Sequence, residues 1–502
     1  MKFKPILTFS KALLIFNLAI VFGFSSAINA QVPITDNEEP SIDLSQAINI
    51  ALANNTQMKR ALLTIHDADQ QVRTAWSGVM PEVAANLNYT RNLEVPVNFL
   101  PEIIFNPAGD PNNLIPIAFG TDNNWMGGFS ASQTLFNGRV FIGLSSASIY
   151  KIAQSENLRA TAQGIVTATR VAYYQVLIAK EQQRLAQSQF DRITDNLKDT
   201  KKLFEQGFTD DYALMQLEVQ LSNLEPLLTS ADFAVQKTKR ELLDILGLPL
   251  HLPFDVVGNL KTYNIFSQAA DNPENASIKE VDLVTPLKLE TDSSFVEYTF
   301  GLRGDLRVLD SHKKLQGKNL SAKISDYLPT IFASYNLNWT AAQAGTPNFF
   351  GNSNQRARSQ VVSVGLSLPI FQGFTRDASI QMTKIQIKDI ELQEYQTKQT
   401  ATKEVIASQE AIKEVYQTSS ARKKAVELAK KGYERALIRF KNGLSSQQEI
   451  NDADLQLRQA EVNYSQMVFS YLISKAQYDQ AIGQVPFVGQ DVETIKENIE
   501  LK

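Results

Sequence analysis

The chain has 502 residues, of which 43% are hydrophobic and 20% are charged, so its composition excludes a disordered chain and its length predicts more than one structural unit. The 49 basic residues are balanced by 53 acidic ones, which leaves no large positive surface, and we expect no nucleic acid partner. There is no cysteine, which excludes disulfides, cysteine-ligated metal centres and thiol nucleophiles.

Residues 1–30 have the layout of a secretory signal peptide, with lysines first, an apolar run over 12–24 and small residues up to Ala30. We expect cleavage after Ala30, and cleavage after Ala27 is the alternative. An N-terminal anchor helix is the other interpretation, but the run is shorter than the roughly 20 residues that span a bilayer. Because no later stretch approaches that length, the exported chain would enter a membrane only as strands.

The rest of the sequence repeats itself. Three blocks recur in the same order, each written with its partner: Pro81 with Pro329 at an offset of 248, Leu135–Gly138 with Ile370–Gly373 at 235, and Phe204–Gly207 with Phe440–Gly443 at 236. Such an ordered repeat indicates two related structural units. We place them at 31–247 and 301–483, with an insert at 248–300 and a C-terminal tail at 484–502.

Each unit contains two segments of about ten residues with period-two alternation, which predicts two strands per unit. The apolar alternate positions predict one face, which carries Leu87, Tyr89, Phe129, Leu135, Tyr335, Leu337, Leu366 and Leu368. Ten tilted residues cover about 25 Å, the height of the apolar band of an outer-membrane barrel, so we expect this face to contact lipid. A soluble sandwich with one buried face is the alternative. Four strands are fewer than the roughly eight of the smallest spanning barrels, so a barrel needs several chains.

The remaining sequence predicts long helices. Residues 139–206 and 374–442 contain no proline, and apolar side chains recur there in steps of four and three, as in a coiled coil. Gly207 and Gly443 each end a long helix, and a returning helix follows. We therefore predict one long and two shorter helices per unit: 43–79, 139–206, 210–246, 301–327, 374–442 and 445–483.

These duplicated features resemble the TolC family of outer-membrane channel proteins, over about 41–483. The resemblance rests on the repeated Phe-x-x-Gly turns, the Leu-Phe-Asn-Gly and Ile-Phe-Gln-Gly motifs and the proline-led strands. It implies a mainly α fold with a membrane β-barrel. Long antiparallel coiled-coil helices would form an α-barrel, and four strands from each chain of a homotrimer would form a shared 12-stranded barrel. It also implies extracellular loops at 95–122 and 342–357, and an equatorial position for the insert and the tail.

The resemblance further implies site residues at the helix turns. Family members carry acidic residues six and nine positions after the second turn glycine, which correspond to Glu449 and Asp452 and would form a periplasmic gate. The alternative is that both carboxylates only offset the dipole at the start of a helix. The turns themselves, with Phe204, Gly207, Phe440 and Gly443, would dock a periplasmic adaptor, although simple chain reversal also explains the glycines.

The functional interpretation is an exit duct of a tripartite export system. It would lie in outer-membrane lipid, extend into the periplasm, and conduct substrates passively from an inner-membrane pump and a periplasmic adaptor to the outside. The alternative is an exported periplasmic coiled-coil adaptor or structural protein that never enters the membrane. The chain has only three histidines, none at metal-ligand spacing, so we expect no enzyme, no cofactor and no metal site. The exported substrate stays open, because the pump selects it.

Overall fold

The computed structural model describes residues 40–260, 293–347 and 356–488. The predicted signal peptide, residues 261–292 of the insert and residues 489–502 of the tail lie outside the described residues. Within the described part, helix dominates, as the sequence predicts, and a smaller sheet lies at one end of the long helices.

The ends of the predicted helices agree with the structure to within about three residues, and one further helix, Ser293–Phe300, lies in the insert, where none was predicted. The described helices are α1 (Leu44–Asn54), α2 (Thr56–Ser77), α3 (Gly138–Glu205), α4 (Asp211–Leu246), α5 (Ser293–Phe300), α6 (Gly304–Ser325), α7 (Thr375–Lys441) and α8 (Gln447–Ala481). Helix α3 has 68 residues. At 1.5 Å per residue such a helix is about 100 Å long.

One predicted helix is divided in two. The segment 43–79 forms α1 and α2, which are separated at Asn55, where the backbone is extended with ψ of 132°. The side-chain oxygen of Asn55 accepts hydrogen bonds from the backbone of Gln57 and Met58 and so starts α2. Its amide nitrogen donates to the carbonyl oxygen of Ile245 at 2.8 Å. Asparagine competes for backbone hydrogen bonds in this way, which is why it favours helix starts over helix interiors.

The main sheet has four antiparallel strands, in the order β2 (Glu82–Arg91), β5 (Asn123–Phe136), β7 (Thr330–Gln343) and β8 (Arg356–Ser367). Two short pairs accompany it, one of them a hairpin within the predicted loop 95–122. Their strands are β1 (Ser41–Ile42), β3 (Val97–Pro101), β4 (Leu114–Ala118) and β6 (Asp255–Val256). Strand β6 comes from the insert and pairs in parallel with β1.

The helices follow the same lateral order as the strands to which they connect. Helix α3 packs against α2 and α4 of its own unit and also against α6 and α8 of the other unit. Helix α7 packs against α6 and α8. The layer therefore runs from α2 and α4 through α3 to α6 and α8, and ends at α7. The sheet and the layer of helices each have two uncovered edges in the described chain, with the first unit at one edge and the second unit at the other.

The main core lies midway along the long helices. It joins the central parts of α3 and α7 to α1, to the ends of α4 and α8 and to Phe254 of the insert. Smaller clusters continue toward the turns, one around Leu217 of α4 and one around Phe440 of α7. Most of their members follow the predicted steps of three and four residues, as Phe190, Ile193 and Leu197 of α3 do.

A buried ion cluster fixes α3 to α8 within this core. Asp479 of α8 is completely buried and accepts from Arg170 of α3 at 2.7 Å and from Lys475 at 2.6 Å. Burial removes the water around this carboxylate, and the two cations compensate for the loss. Because they do so only when α3 and α8 are correctly aligned, the cluster fixes the register between the two helices.

Two glycines follow the shorter helices α4 and α8, and each packs closely against the backbone that precedes another helix. Gly247 after α4 has φ of 68°, and a Cβ there would lie 2.5 Å from the carbonyl oxygen of Asn54. Gly483 after α8 has φ of 73°, and its Cβ would lie 2.6 Å from the carbonyl carbon of Leu302. The two sites differ by 236 positions and their neighbours by 248, the same offsets as in the sequence repeat. Each junction needs both the positive φ and the missing side chain.

We predict that Gly247→Ala destabilises the fold by roughly 1–3 kcal/mol, because it adds a clash with Asn54 to the cost of positive φ. Gly207→Ala separates the two effects. That residue has φ of 76°, but no atom lies within 4 Å of its Cβ position. The measurement is thermal unfolding in detergent followed by circular dichroism. Equal losses in both variants would mean that close packing against Asn54 contributes nothing.

Candidate functional site

The sheet brings most of the predicted lipid-face residues onto one face. Residues paired directly across antiparallel strands point to the same side of a sheet. By this register six predicted residues share a face: Leu87, Tyr89, Phe129, Tyr335, Leu337 and Leu366. We name this side of the sheet the apolar face. Because the described chain leaves it uncovered, its large side chains are exposed.

Two predicted members do not follow the ladder. Leu135 lies at a register shift between Thr134, which pairs with Phe332, and Phe136, which pairs with Ile331. This β-bulge leaves Leu135 without a cross-strand partner and changes the alternation after it. Leu368 lies just beyond the last residue of β8. The predicted alternation is therefore correct for the paired strand residues but does not extend to Leu135 and Leu368.

The opposite side of the sheet carries mainly small and polar residues, with Met126, Phe332 and Val361 as apolar exceptions, and we name it the polar face. Its members include Asn86, Asn88, Ser130, Ser132, Ser334, Asn336, Asn338, Ser359 and Ser363. Alternation between an apolar and a polar face is what a strand between lipid and a water-filled lumen requires.

Aromatic side chains gather at the end of the apolar face that is farther from the helices. The rings of Tyr89 and Trp125 lie 4.9 Å apart, and those of Phe129 and Trp339 lie 6.2 Å apart. The Tyr89 hydroxyl donates to the side-chain oxygen of Asn123 at 2.7 Å. Amphipathic rings with one hydrogen-bonded end suit the boundary between hydrocarbon and water.

The helix turns lie at the opposite end of the molecule. Gly207 and Gly443 have φ of 76° and 70°, and the residues that follow them, Phe208 and Leu444, are strongly exposed. The two predicted turn phenylalanines differ, because Phe204 is 41% exposed whereas Phe440 is buried against Ala436 and Ile450. Phe440 therefore holds its turn together, and the exposed apolar surface of that turn belongs to Leu444.

Glu449 and Asp452 lie in the first turns of α8. Ser446 caps this helix, and its hydroxyl accepts from the Glu449 backbone at 3.3 Å. The Glu449 carboxylate lies 3.5 Å from Arg439 of α7, and both side chains are largely exposed. Asp452 is exposed and accepts from Gln448 at 2.9 Å. Both predicted gate carboxylates are thus solvated, three residues apart on one side of the helix.

A neighbouring ion pair was not predicted from the sequence. Arg192 of α3 donates to Asp454 of α8 at 2.5 Å, and the two side chains are only 20% and 9% exposed. The Arg192 guanidinium also lies 5.6 Å from the centre of the Tyr433 ring of α7. Burial raises the pKa of Tyr433 above its usual value, and the Asp454 charge adds to this shift. This contact links the two units near the turns.

A second link between the units lies closer to the tip. Lys441 of α7 donates to Asp199 of α3 at 2.9 Å, and Lys202 lies 3.3 Å away. The hydrogen bond from Lys441 holds the pKa of Asp199 below its usual value. The depressed pKa means that the pair stabilises the tip above the unfolded pKa and loses this effect as the pH falls through the folded one.

A polar cleft of about 360 Å³ separates α3 and α4 from α8 beside these links. Asp452 and Asp454 line it together with Gln189 and Asn196, whose side-chain oxygens are buried and have no hydrogen-bond partner among the described residues. Water is the natural occupant of a polar cleft of this size. At this cleft the contact between the units is therefore largely polar.

No group of three or more histidine, aspartate or glutamate residues is placed to hold a metal ion within 40–260, 293–347 and 356–488. No described helix is both long enough and apolar enough to cross a membrane.

The chain matches the family model described as outer membrane efflux protein over residues 47–248 and 304–484. Among solved structures it is similar to the CmeC outer membrane channel of Campylobacter jejuni, with a TM-score of 0.70, 15% identity, and coverage of 93% of this chain and 94% of that one. At this identity the similarity shows the fold. No curated protein matches the chain.

Two further structures are similar along nearly their whole length. The outer membrane protein VceC of Vibrio cholerae has a TM-score of 0.65 and 14% identity, with coverage of 88% of this chain and 96% of that one. The MtrE outer membrane channel of Neisseria gonorrhoeae, in its open state, has a TM-score of 0.65 and 19% identity, with coverage of 88% and 89%.

We predict that Asp454→Asn destabilises the protein by roughly 1–3 kcal/mol, because it leaves the Arg192 charge half-buried without its counter-charge. Asp452→Asn, the same change two residues away at an exposed carboxylate, should have almost no effect. Thermal unfolding of both variants in detergent measures the difference. Equal stability of the two variants would show that the Arg192–Asp454 contact contributes nothing.

Proposed function

Because the chain belongs to the outer membrane efflux protein family, we propose that it is the exit duct of a tripartite efflux system, with its sheet in the outer membrane and its helices in the periplasm. The observation that carries this function is the family match across both repeat units, joined to a sheet with one apolar and one polar face. A duct of this kind conducts its substrates passively, so no catalytic residues are assigned.

The open edges of both layers support an assembly of several copies, for which we propose a homotrimer. Strands β2 and β8 each have a free edge in the described chain, and an edge strand in lipid would leave its backbone groups without hydrogen-bond partners. Three copies, each joining β8 to β2 of the next copy, give an antiparallel ring of twelve strands. The strand number is even and exceeds the minimum of about eight.

Helices α4 and α7, at the two edges of the helical layer, expose apolar surfaces that would meet in this assembly. Helix α4 exposes Tyr212, Val219 and Phe233, which lie at intervals of seven or fourteen residues on a face pointing away from its own core. Helix α7 exposes Ile385, Leu392 and Ile406 at the same intervals. A seven-residue apolar repeat is the pattern of a coiled-coil seam. The two seams lie at opposite edges of the layer, where the next copy would cover them.

In this assembly the apolar face contacts lipid and the polar face lines the lumen. The six laddered residues of the apolar face would meet hydrocarbon. Leu135 and Leu368 would lie where the sheet joins the helices. The change from apolar to polar residues between neighbouring positions supports this assignment, since each strand alternates between the two environments.

Glu449 and Asp452 would form the periplasmic gate. Three copies bring six carboxylates to one constriction, and such a ring favours cations and binds multivalent ones most tightly. The equivalent positions of the first unit are Ala213 and Gln216, so the acidic ring comes from the second unit alone. Solvation of both carboxylates in a single copy supports this role.

The turns would dock a periplasmic adaptor, which in turn engages an inner-membrane pump. Phe204, Phe208 and Leu444 give the tips an exposed apolar surface, and Gly207 and Gly443 allow the sharp reversal that presents it. Exposed apolar residues clustered at one end of a molecule indicate an interaction site. The pump would select the substrate, which these residues leave unspecified.

We predict that the protein in mild detergent is a trimer and that Leu392→Glu dissociates it, because the change places a charge in the α7 seam. Native mass spectrometry measures the mass. Gln386→Glu, beside the seam on the same helix, is the control and should leave the trimer intact. A wild-type monomer with full strand content would contradict the proposed assembly.

We predict that Leu87→Arg costs about 2–4 kcal/mol, because a charge on the lipid side of a strand loses its solvation near mid-bilayer. Asn88→Arg, one residue on and on the polar face, should cost far less. Unfolding from lipid bilayers in denaturant measures both. If the two variants unfold alike, the lipid-facing assignment is wrong.

We predict that replacing both Glu449 and Asp452 by alanine lowers cation selectivity and weakens block by trivalent cations, because the acidic ring is removed. Single-channel recording in planar bilayers measures both quantities. Ala213→Gly combined with Gln216→Asn is the matched control in the first unit and should change neither. Unaltered selectivity and block in the first variant would show that these carboxylates only offset the dipole at the start of α8.

A further inference from the structure

The charged residues of the sheet are strongly segregated. The strands β2, β5, β7 and β8 contain three basic residues, Arg91, Arg356 and Arg358, and one acidic residue, Glu82. The register places all three arginines on the apolar face. Arg358 pairs with Trp339, Arg356 with Ala341, and Arg91 with Asn123. Glu82 lies on the polar face, at the end nearer the helices.

The three arginines also lie at one end of the strands. Strand β2 ends at Arg91 and β8 begins at Arg356, and both positions are at the end of the sheet farther from the helices. Because the helices extend into the periplasm, this end is the extracellular one. All three side chains are exposed.

The arginines adjoin the aromatic side chains of the same rim. The Arg358 guanidinium lies 6.0 Å from the centre of the Trp339 ring, within the range of a cation–π contact. This contact leaves the edge of the guanidinium open to an anion. Among the described residues no carboxylate lies within salt-bridge distance of Arg91 or Arg358.

An arginine on a lipid-facing surface is costly at mid-bilayer, and its cost falls to about 0–1 kcal/mol near the interface. At the interface it meets headgroup phosphates. A guanidinium binds a phosphate through two parallel hydrogen bonds. Below the arginines the apolar face continues with Phe129, Leu337, Val362 and Leu366, which suit the acyl chains of the same lipid.

We propose that Arg91, Arg356 and Arg358 form a binding site for the phosphate groups of a phosphorylated glycolipid in the outer leaflet. The inference rests on the proposed function, since it needs the sheet to lie in the membrane. In the proposed trimer the β8 edge of one copy adjoins the β2 edge of the next. Each boundary between copies would then carry Arg356 and Arg358 from one copy and Arg91 from the other. A lipid bound there would cover the junction that closes the barrel.

The test measures binding of bisphosphorylated lipid A to the detergent-solubilised full-length protein by native mass spectrometry. The same lipid after removal of its phosphates is the second arm, and inorganic phosphate is the third. The variants are Arg356→Gln with Arg358→Gln, and Arg91→Gln. Arg60→Gln with Arg73→Gln, which removes two exposed charges from α2, is the matched control.

We expect the double variant to lose roughly tenfold or more in affinity for the phosphorylated lipid, because charge-assisted hydrogen bonds are lost. Removal of the phosphates should weaken wild-type binding to a similar extent, and the control should bind as wild type does. Arg356→Lys with Arg358→Lys keeps the charges but not the paired hydrogen bonds, so its loss should be intermediate.

Wild-type binding that does not depend on the phosphates overturns the proposal, and so does unchanged affinity in the double variant. Inorganic phosphate binding as tightly as the lipid would identify a site for free anions and would overturn it as well. If the double variant does not fold, the lysine variant and the dephosphorylated lipid still decide. Oligomer mass and conductance of the same samples separate failure of this site from failure of the proposed duct.

Discussion

The backbone hydrogen bonds of the two edge strands constrain the whole structure. A four-stranded sheet leaves one side of β2 and one side of β8 unpaired, and a bilayer offers these groups no water. A single chain cannot meet this constraint, because its sheet is too narrow to close on itself. The lateral order of the helices repeats that of the strands, so the helical layer is open at the same two edges. The proposed trimer, which joins copies edge to edge, would cover the open edges of both layers at once.

The two units share the glycines that reverse the chain, but they differ in the residues that link one unit to the other. Turn glycines and junction glycines recur at an offset of 236 in both units. The residues that link the units do not recur. At the same offset Arg192 corresponds to Leu428 and Asp454 to Glu218, so the ion pair near the tip exists once per chain. Chain reversal therefore has the same basis in both units, whereas the ion pair that links the units near the tip is built from residues that have no equivalent pair.

Much of the fold follows from local patterns in the sequence. The 3.5-residue spacing predicts α3, α4, α7 and α8 to within two residues, and the alternation predicts the face that carries Leu87 and Phe129. Features that depend on distant partners were missed. Asn55 divides the first helix because its amide meets Ile245, which lies 190 residues away. The bulge at Leu135 depends on the partner strand, and the Arg192–Asp454 contact joins residues 262 positions apart.

The character of the contact between the units changes along the helices. At mid-length α3 meets α8 through a large apolar core and through Asp479, which is fully buried between Arg170 and Lys475. Burial of this kind stabilises by the area removed from water and fixes one register. Near the turns each hairpin has a small apolar cluster. The contact between the hairpins combines two ion pairs and a polar cleft with Leu203 of α3, which packs against the cluster of the second hairpin. The more exposed pair, Lys441–Asp199, contributes far less than buried apolar area, which leaves Arg192–Asp454 as the stronger of the two. The free energy that joins the units is thus concentrated at mid-length, and the tips, where the acidic residues lie, are the part that separates at the lowest cost.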